Sequence, residues 1–428
     1  MDALQTLLDN AISSGIAPGL VAVAFNRTGA FASAASGISS PVTKAPMELD
    51  TTLWFASASK ILVSLAALVV VDKEGFDLDS HDELVKLVPE LGKDFPGSRL
   101  WKIFDGKDEN GEFKFREAQK GITLRHLLTH SSGLAADFSS PEVAEVHAKA
   151  AEAGEPYEFG TLRLYNQYRL FEAGDRWHYG FSPGWIALFL IRKTGLSFRR
   201  AIQQLVLDPL HIAPDTLDTF ITPSMAAKQA SIGLRYPTGD VGPLPFPFEV
   251  PTFEDHTPEG KIPLADAPFF GTAPAFAAAL RSFLDASSPA PGEKPLLSPE
   301  MFKLATQDDL ALRGIGIKQH PMIVAASPVT NDIPLLAEPK EVSEEKDDSL
   351  GWTLLQNVYH RFETKSGLQP GSLEWMGLNN TYYFLDPTSG LGAFIGASFL
   401  PNADLRMMQL KDEVFKWVYE NRPEEEGK

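Results

Sequence analysis

The chain contains no cysteine. Disulfides, thiolate nucleophiles and cysteine-bound metals are therefore excluded. Its nine histidines are scattered, with no His-Glu-x-x-His spacing, so no metal is expected. Basic residues are in short supply. There are 38 Lys and Arg against 56 Asp and Glu, a formal net charge of −18. That balance argues against nucleic acid and anionic membrane as partners. No apolar run reaches the roughly 18 residues of a membrane-spanning helix. The opening Met1-Asp2-Ala3-Leu4-Gln5 has neither a basic n-region nor an apolar h-region. No secretory signal is read there, and a cytoplasmic location is expected. Internal repeats are also missing.

What is present is ordinary for a globular chain: 44% hydrophobic and 22% charged residues. Leu4, Leu7, Leu8, Ala11 and Ile12 form a helical stripe. Two apolar segments, 20–25 and 30–35, flank Asn26-Arg27-Thr28-Gly29 and predict a hairpin. From about 78 to 270 the pattern is helical and loop-like, with Asp105 to Gly111 as a polar surface excursion. Residues 236–269 carry eight prolines, too many for a regular helix or central strand. Strand-like segments follow at 351–359, 373–378, 380–385 and 391–399. Met407, Leu410, Val414, Trp417 and Val418 mark a terminal helix. An acidic stretch at 327–349 reads as a surface loop, and Glu424-Glu425-Glu426 as a loose tail. The order predicts an α+β fold. An antiparallel sheet flanked by helices is built from both ends, 1–78 and 270–428, around a mainly helical insertion at 79–269 with its proline-rich loop.

The stretch that organises the chemistry is Phe55-Ala56-Ser57-Ala58-Ser59-Lys60. The run from Ile61 to Val71 behind it is apolar on every side and predicts a buried helix. Residues three apart share a helical face, so Ser57 Oγ and the Lys60 amine can meet. A desolvated amine beside a hydroxyl can activate it as a nucleophile. A serine cap followed by a snorkelling lysine would give the same letters. Tyr179, in Trp177-His178-Tyr179-Gly180-Phe181-Ser182, is a candidate base if a cation lies near; a core tyrosine is the alternative. Gly180-Phe181-Ser182-Pro183-Gly184 also fits a nucleophile elbow, but no strand precedes it, and Ser182 reads as a helix cap. Lys193-Thr194-Gly195 reads as the end of that helix. His126, His130 and His178 are given no role, because no carboxylate is placed to orient them.

These pieces together resemble the serine β-lactamase-like family with the class C and penicillin-binding fold. Within it the likeness is to the carboxylesterase and transesterase branch, which includes a fungal acyltransferase that loads a statin side chain. Ser57-Ala58-Ser59-Lys60 matches the first motif. The segment from Ile122 to Leu134 looks like a long family signature, Tyr179-Gly180-Phe181 matches the second motif, and Trp375-Met376-Gly377 matches the third. The resemblance implies a β-lactamase/transpeptidase-like fold with the site where the two domains meet. It implies Ser57, Lys60 and Tyr179 as catalytic residues, with Tyr179 taking the Ser57 proton beside Lys60. The backbone N–H groups of Ser57 and Leu378 would form an oxyanion hole. Phe181, Trp375 and Gly377 would line the substrate site. Phe181 stands where the β-lactamases have an asparagine, and Trp375 where they have a lysine. Both departures remove polar groups that hold a β-lactam and favour esters or thioesters with apolar acyl groups. The expected partners are a small-molecule ester or thioester donor and, for transfer, an alcohol or amine acceptor. No cofactor is expected. A β-lactamase-type amide hydrolase and a non-catalytic ligand-binding protein are the alternatives.

Overall fold

A computed structural model describes residues 3–250, 252–254, 261–284, 295–317 and 349–423, with the backbone of a short hairpin at 328–330 and 333–334. Most of the acidic stretch 327–349, the tail Glu424-Glu425-Glu426, and positions 251 and 255–260 of the proline-rich loop lie outside the described residues.

Seven strands make the main sheet: β1 (Gly19–Asn26), β2 (Gly29–Gly37), β3 (Leu350–Trp352), β4 (Val358–His360), β5 (Leu373–Gly377), β6 (Thr381–Asp386) and β7 (Leu391–Gly396). Their order is β3-β4-β5-β6-β7-β1-β2, and every neighbouring pair is antiparallel. The hairpin read from the sequence is β1–β2. The long jump is β7 to β1, where Val21 faces Gly396 and Asn26 faces Leu391. That pairing joins the two ends of the chain in one sheet.

Helices cover the sheet. The N-terminal helix α1 (Ala3–Ser13) packs on β1 and β2 and touches the C-terminal helix α4 (Leu405–Glu420), which lies on β7. The helix Ala273–Arg281 packs on β1, β2 and β7. All residues of β6 and β7 are buried, as are Gly19 to Phe25 of β1. Central strands wetted on neither face read as continuous apolar runs, which is how these segments look in the sequence.

The helix after the serine motif, α2 (Lys60–Glu74), has every residue from Lys60 to Val71 buried. It packs on α3 (Pro183–Thr194), on Phe198–Ile202 and on Gln203–Leu207. Gly75 ends it in a left-handed conformation, φ 67°. The expected polar surface excursion, Asp105 to Gly111, is exposed throughout and forms the end of a hairpin, Lys102–Lys107 with Phe113–Glu117. Of its residues only Ile103 is buried, and the Phe113-Lys114-Phe115-Arg116 alternation turns its half-buried side toward Phe104 and Tyr168. Among the described residues no helix is long and apolar enough to cross a membrane.

Candidate active site

Leu53 and Trp54 form a two-residue strand paired with Phe270 and Gly271. The chain then enters a tight 3-10 turn, Ala56–Ser59, that runs straight into α2. Ala56 adopts φ 46°. A non-glycine residue in that region costs on the order of 1–3 kcal/mol and is held only by its surroundings. Here Ser59 Oγ donates to the Ala56 carbonyl. From Thr51 to Val71 every residue is buried except Ser57. The turn therefore presents one hydroxyl out of an otherwise closed wall. Lys60 Nζ lies 2.8 Å from Ser57 Oγ, the i, i+3 contact expected from the sequence. The same nitrogen donates to the Asp266 carbonyl and stands 5.2 Å from the centre of the Tyr179 ring.

Tyr179 comes from the loop before α3. It is buried, and its hydroxyl has no hydrogen-bond partner among the described residues. Aromatic rings fix it: His130 at 4.6 Å and Trp375 at 5.2 Å between ring centres. Trp352 stands edge-on to Trp375 at 4.8 Å. His130 Nδ1 accepts the Gly180 N–H at 3.3 Å. Burial, reinforced by the nearby Lys60 side chain, pushes the His130 imidazole well below its ordinary value, so it is neutral. Its contribution to the site is packing.

The third motif is docked from the other side. Asn379 Nδ2 donates to the Trp54 carbonyl at 2.9 Å, and Thr381 Oγ1 to the Phe55 carbonyl at 3.3 Å. A Cβ on Gly377 would fall 2.3 Å from the Phe55 oxygen, so only glycine permits this approach. Leu378 follows, partly exposed, packed on the small cluster of Trp54, Ala56 and Phe270. Phe181 is buried, with Phe138 at 5.8 Å, Phe159 at 6.2 Å and Tyr165 at 6.4 Å between ring centres. Phe159 is 57% exposed, an aromatic edge at the rim.

The structure thus brings Ser57, Lys60, Tyr179, Trp375, Gly377 and Leu378 into one place. Ser182 is fully buried, with its hydroxyl 3.2 Å from Ser132 Oγ, at the start of α3. No substrate reaches it there. Gly195 closes α3 in a left-handed conformation, as a helix end should. Asp266 went unnoticed in the sequence. The available signal was a lone charge in the apolar run Leu264-Ala265-Asp266-Ala267-Pro268-Phe269-Phe270.

A family model described as Beta-lactamase matches residues 5–409. The chain belongs to the beta-lactamase family. Among curated relatives, acyltransferase mokF of Monascus pilosus is 33% identical over 186 residues, which are 43% of this chain and 42% of the relative. Lovastatin esterase of Penicillium rubens is 28% identical over 212 residues, 49% of this chain and 51% of the relative. The chain thus aligns with about half the length of these relatives or less. Simvastatin synthase from Aspergillus terreus has the same fold: TM-score 0.73 and 21% identity, covering 98% of both chains. The beta-lactamase/transpeptidase-like fold expected from the motifs is the fold observed. Within this family, the third-motif position of the present chain carries an indole, Trp375, set against Tyr179.

Proposed function

We propose that this protein is a serine acyltransferase or carboxylesterase that works through a Ser57 acyl-enzyme on small apolar esters or thioesters. One observation carries the reading: Ser57 is the single residue left unburied between Thr51 and Val71, and its hydroxyl is 2.8 Å from Lys60 Nζ. The proton of Ser57 passes to the Lys60–Tyr179 pair, Lys60 being the member in contact with Oγ. The freed oxygen forms a bond to the acyl carbon, and the carbonyl electrons move onto oxygen. Backbone N–H groups of Ser57 and Leu378 receive that charge. Collapse breaks the bond to the leaving alkoxide or thiolate, which takes the proton back. Water or an acceptor alcohol or amine then repeats the sequence in reverse.

The rings of Phe138, Phe159 and Phe181 favour apolar substrates over a β-lactam. Aromatic faces offer no strong hydrogen-bonding groups and so penalise a ligand that needs them. Transfer is favoured over hydrolysis by the likeness to mokF, named an acyltransferase; the likeness to a lovastatin esterase supports the second reading.

One experiment tests both. A fluorophosphonate probe should label Ser57 alone, and label mapped to another serine would sink the assignment. The enzyme acylated by an activated thioester is then offered alcohols and amines, including polycyclic alcohols, at about millimolar concentration. Acylated acceptor supports transfer, and free acid as the only product leaves the esterase reading. A chromogenic cephalosporin turned over faster than p-nitrophenyl esters would overturn both in favour of an amide hydrolase.

A further inference from the structure

Asp266 lies behind Lys60, and its carboxyl group is buried. The Tyr165 hydroxyl, fully buried, donates to Oδ2 at 2.9 Å, while Oδ1 has no hydrogen-bond partner among the described residues. An unpaired buried carboxylate oxygen is costly, on the order of 1–3 kcal/mol or more. Tyr165 has room because α3 carries glycine opposite it: a Cβ on Gly184 would lie 2.2 Å from the Tyr165 ring. The loop holding Asp266 is fastened to the residues just ahead of the nucleophile. Trp54 Nε1 donates to the Ala267 carbonyl at 2.9 Å, and Phe55 N–H to the Phe269 carbonyl at 3.0 Å. Between these anchors and Tyr165, the Asp266 carbonyl meets Lys60 Nζ.

We propose that Asp266 is a positioning residue for acyl transfer at Ser57: its carbonyl aims the Lys60 amine, and its carboxylate, held by Tyr165, balances the ammonium that forms. The proposal rests on the reading of Ser57 as nucleophile. A neutral amine has two N–H bonds suited to donation and one lone pair. Spending one N–H on the Asp266 carbonyl leaves the lone pair free to face the Ser57 hydroxyl. When the proton moves, the Oγ–H bond breaks, an N–H bond forms on Lys60, and the oxygen's electron pair goes into the bond to the acyl carbon. Asp266 gains and loses nothing. A fixed carboxylate in a poorly polar surrounding stabilises the new cation more than water-exposed charge would. Lys60 and Tyr165 are the titratable groups against the carboxylate; Tyr179 and His130 come next, against Lys60. Burial pushes the Asp266 carboxyl up to about 6, with Lys60 and Tyr165 pulling the other way. It is therefore charged at neutral pH and loses that charge on acidification.

The test is the second-order rate of fluorophosphonate labelling, followed from about pH 5 to about pH 9. Full-length wild type, Asp266→Asn and Tyr165→Phe are compared. The wild-type rate should fall through an inflection near pH 6. Asp266→Asn should be about tenfold slower near neutral pH and lack that inflection. Tyr165→Phe should move the inflection to higher pH, because the carboxylate loses its hydroxyl donor. A folded Asp266→Asn protein labelled within about twofold of wild type, with the inflection intact, overturns the proposal. Should that variant not fold, an unmoved inflection in Tyr165→Phe overturns it equally. Wild-type label mapped away from Ser57 overturns the nucleophile reading and this one together.

Discussion

Lys60 meets two oxygens with one nitrogen, and the two lie very differently in the chain. Ser57 is three residues away, so helical geometry alone predicts the contact. Asp266 arrives from 206 residues away, and nothing local announces it. That contrast accounts for what the sequence could and could not reveal at this scale. Ser57 and Lys60 were legible from spacing and from the apolar helix behind them. Tyr179, Trp375 and Leu378 were legible only through family motifs, since their meeting depends on tertiary structure. Lys60→Ala removes the only side chain hydrogen-bonded to Ser57 Oγ among the described residues. Its acylation rate should fall by roughly two orders of magnitude or more, the usual scale for a lost general base. Tyr179→Phe, which deletes a hydroxyl without a partner among the described residues, should lose a similar amount while keeping or slightly raising the melting temperature. Single-turnover release of p-nitrophenol checks the rate and calorimetry the stability. Near-full activity in folded Tyr179→Phe would remove that residue from the mechanism.

Strands and helices that pack on both faces announce themselves by composition, and those that lie on the surface do not. β1, β6, β7 and α2 are continuous apolar runs and were placed within a few residues. The hairpin at 102–117 reads in the sequence only as a surface excursion, because its strands are short and mostly exposed and its one alternating stretch, Phe113 to Glu117, is five residues long. Sequence periodicity also cannot show how one element is bolted to the next. On β5, Glu374 reaches Lys411 of α4 at 2.7 Å and His360 of β4 at 3.0 Å, tying strand, strand and helix together. Burial works to raise the Glu374 carboxyl, but Lys411 and His360 outweigh it and hold it at about 2, below its ordinary 4.5. A depressed acid stabilises the fold above its unfolded value and ceases to as pH falls. The contribution is thus complete above about pH 4.5 and lost on the way down to about 2. A gap of that size is worth on the order of 3 kcal/mol. Glu374→Gln should lower the melting temperature at neutral pH, because buried Lys411 then keeps only the carboxylate of Asp412, at 3.0 Å, as countercharge. The variant should also show a flatter dependence of melting temperature on pH between about 5 and 3 than wild type. Parallel curves for the two proteins would mean that the cluster does not control acid stability.

On the scale of the whole molecule, Ser57, the proposed nucleophile, is walled by pieces drawn from far apart in sequence. Trp54 and Phe55, next to Ser57, are held by the loop at 267–269 and by Asn379 and Thr381. The α+β class could be inferred because apolar strands cluster at the two ends of the chain. The clamps could not, since each is a single polar contact with no periodicity behind it. They also bear on the order of events as the chain folds. The Asn379–Trp54 bond closes a loop of 325 residues. Ideal-chain closure over that length costs about 5 kcal/mol before any contact repays it. Helix α2 and the hairpin β1–β2 need only neighbouring residues and can form early. The hydroxyl of Ser57 would thus exist in a helical turn well before it has a wall at its back. Chemical competence should be among the last properties to return from denaturant, with probe labelling of Ser57 lagging behind the far-ultraviolet circular dichroism. Labelling that returns in step with the helical signal would mean that the local turn suffices. If the lag is found, a half-made chain carries its nucleophile in an unarmed form. It is then spared from acylating itself or its neighbours until the last strands close over it.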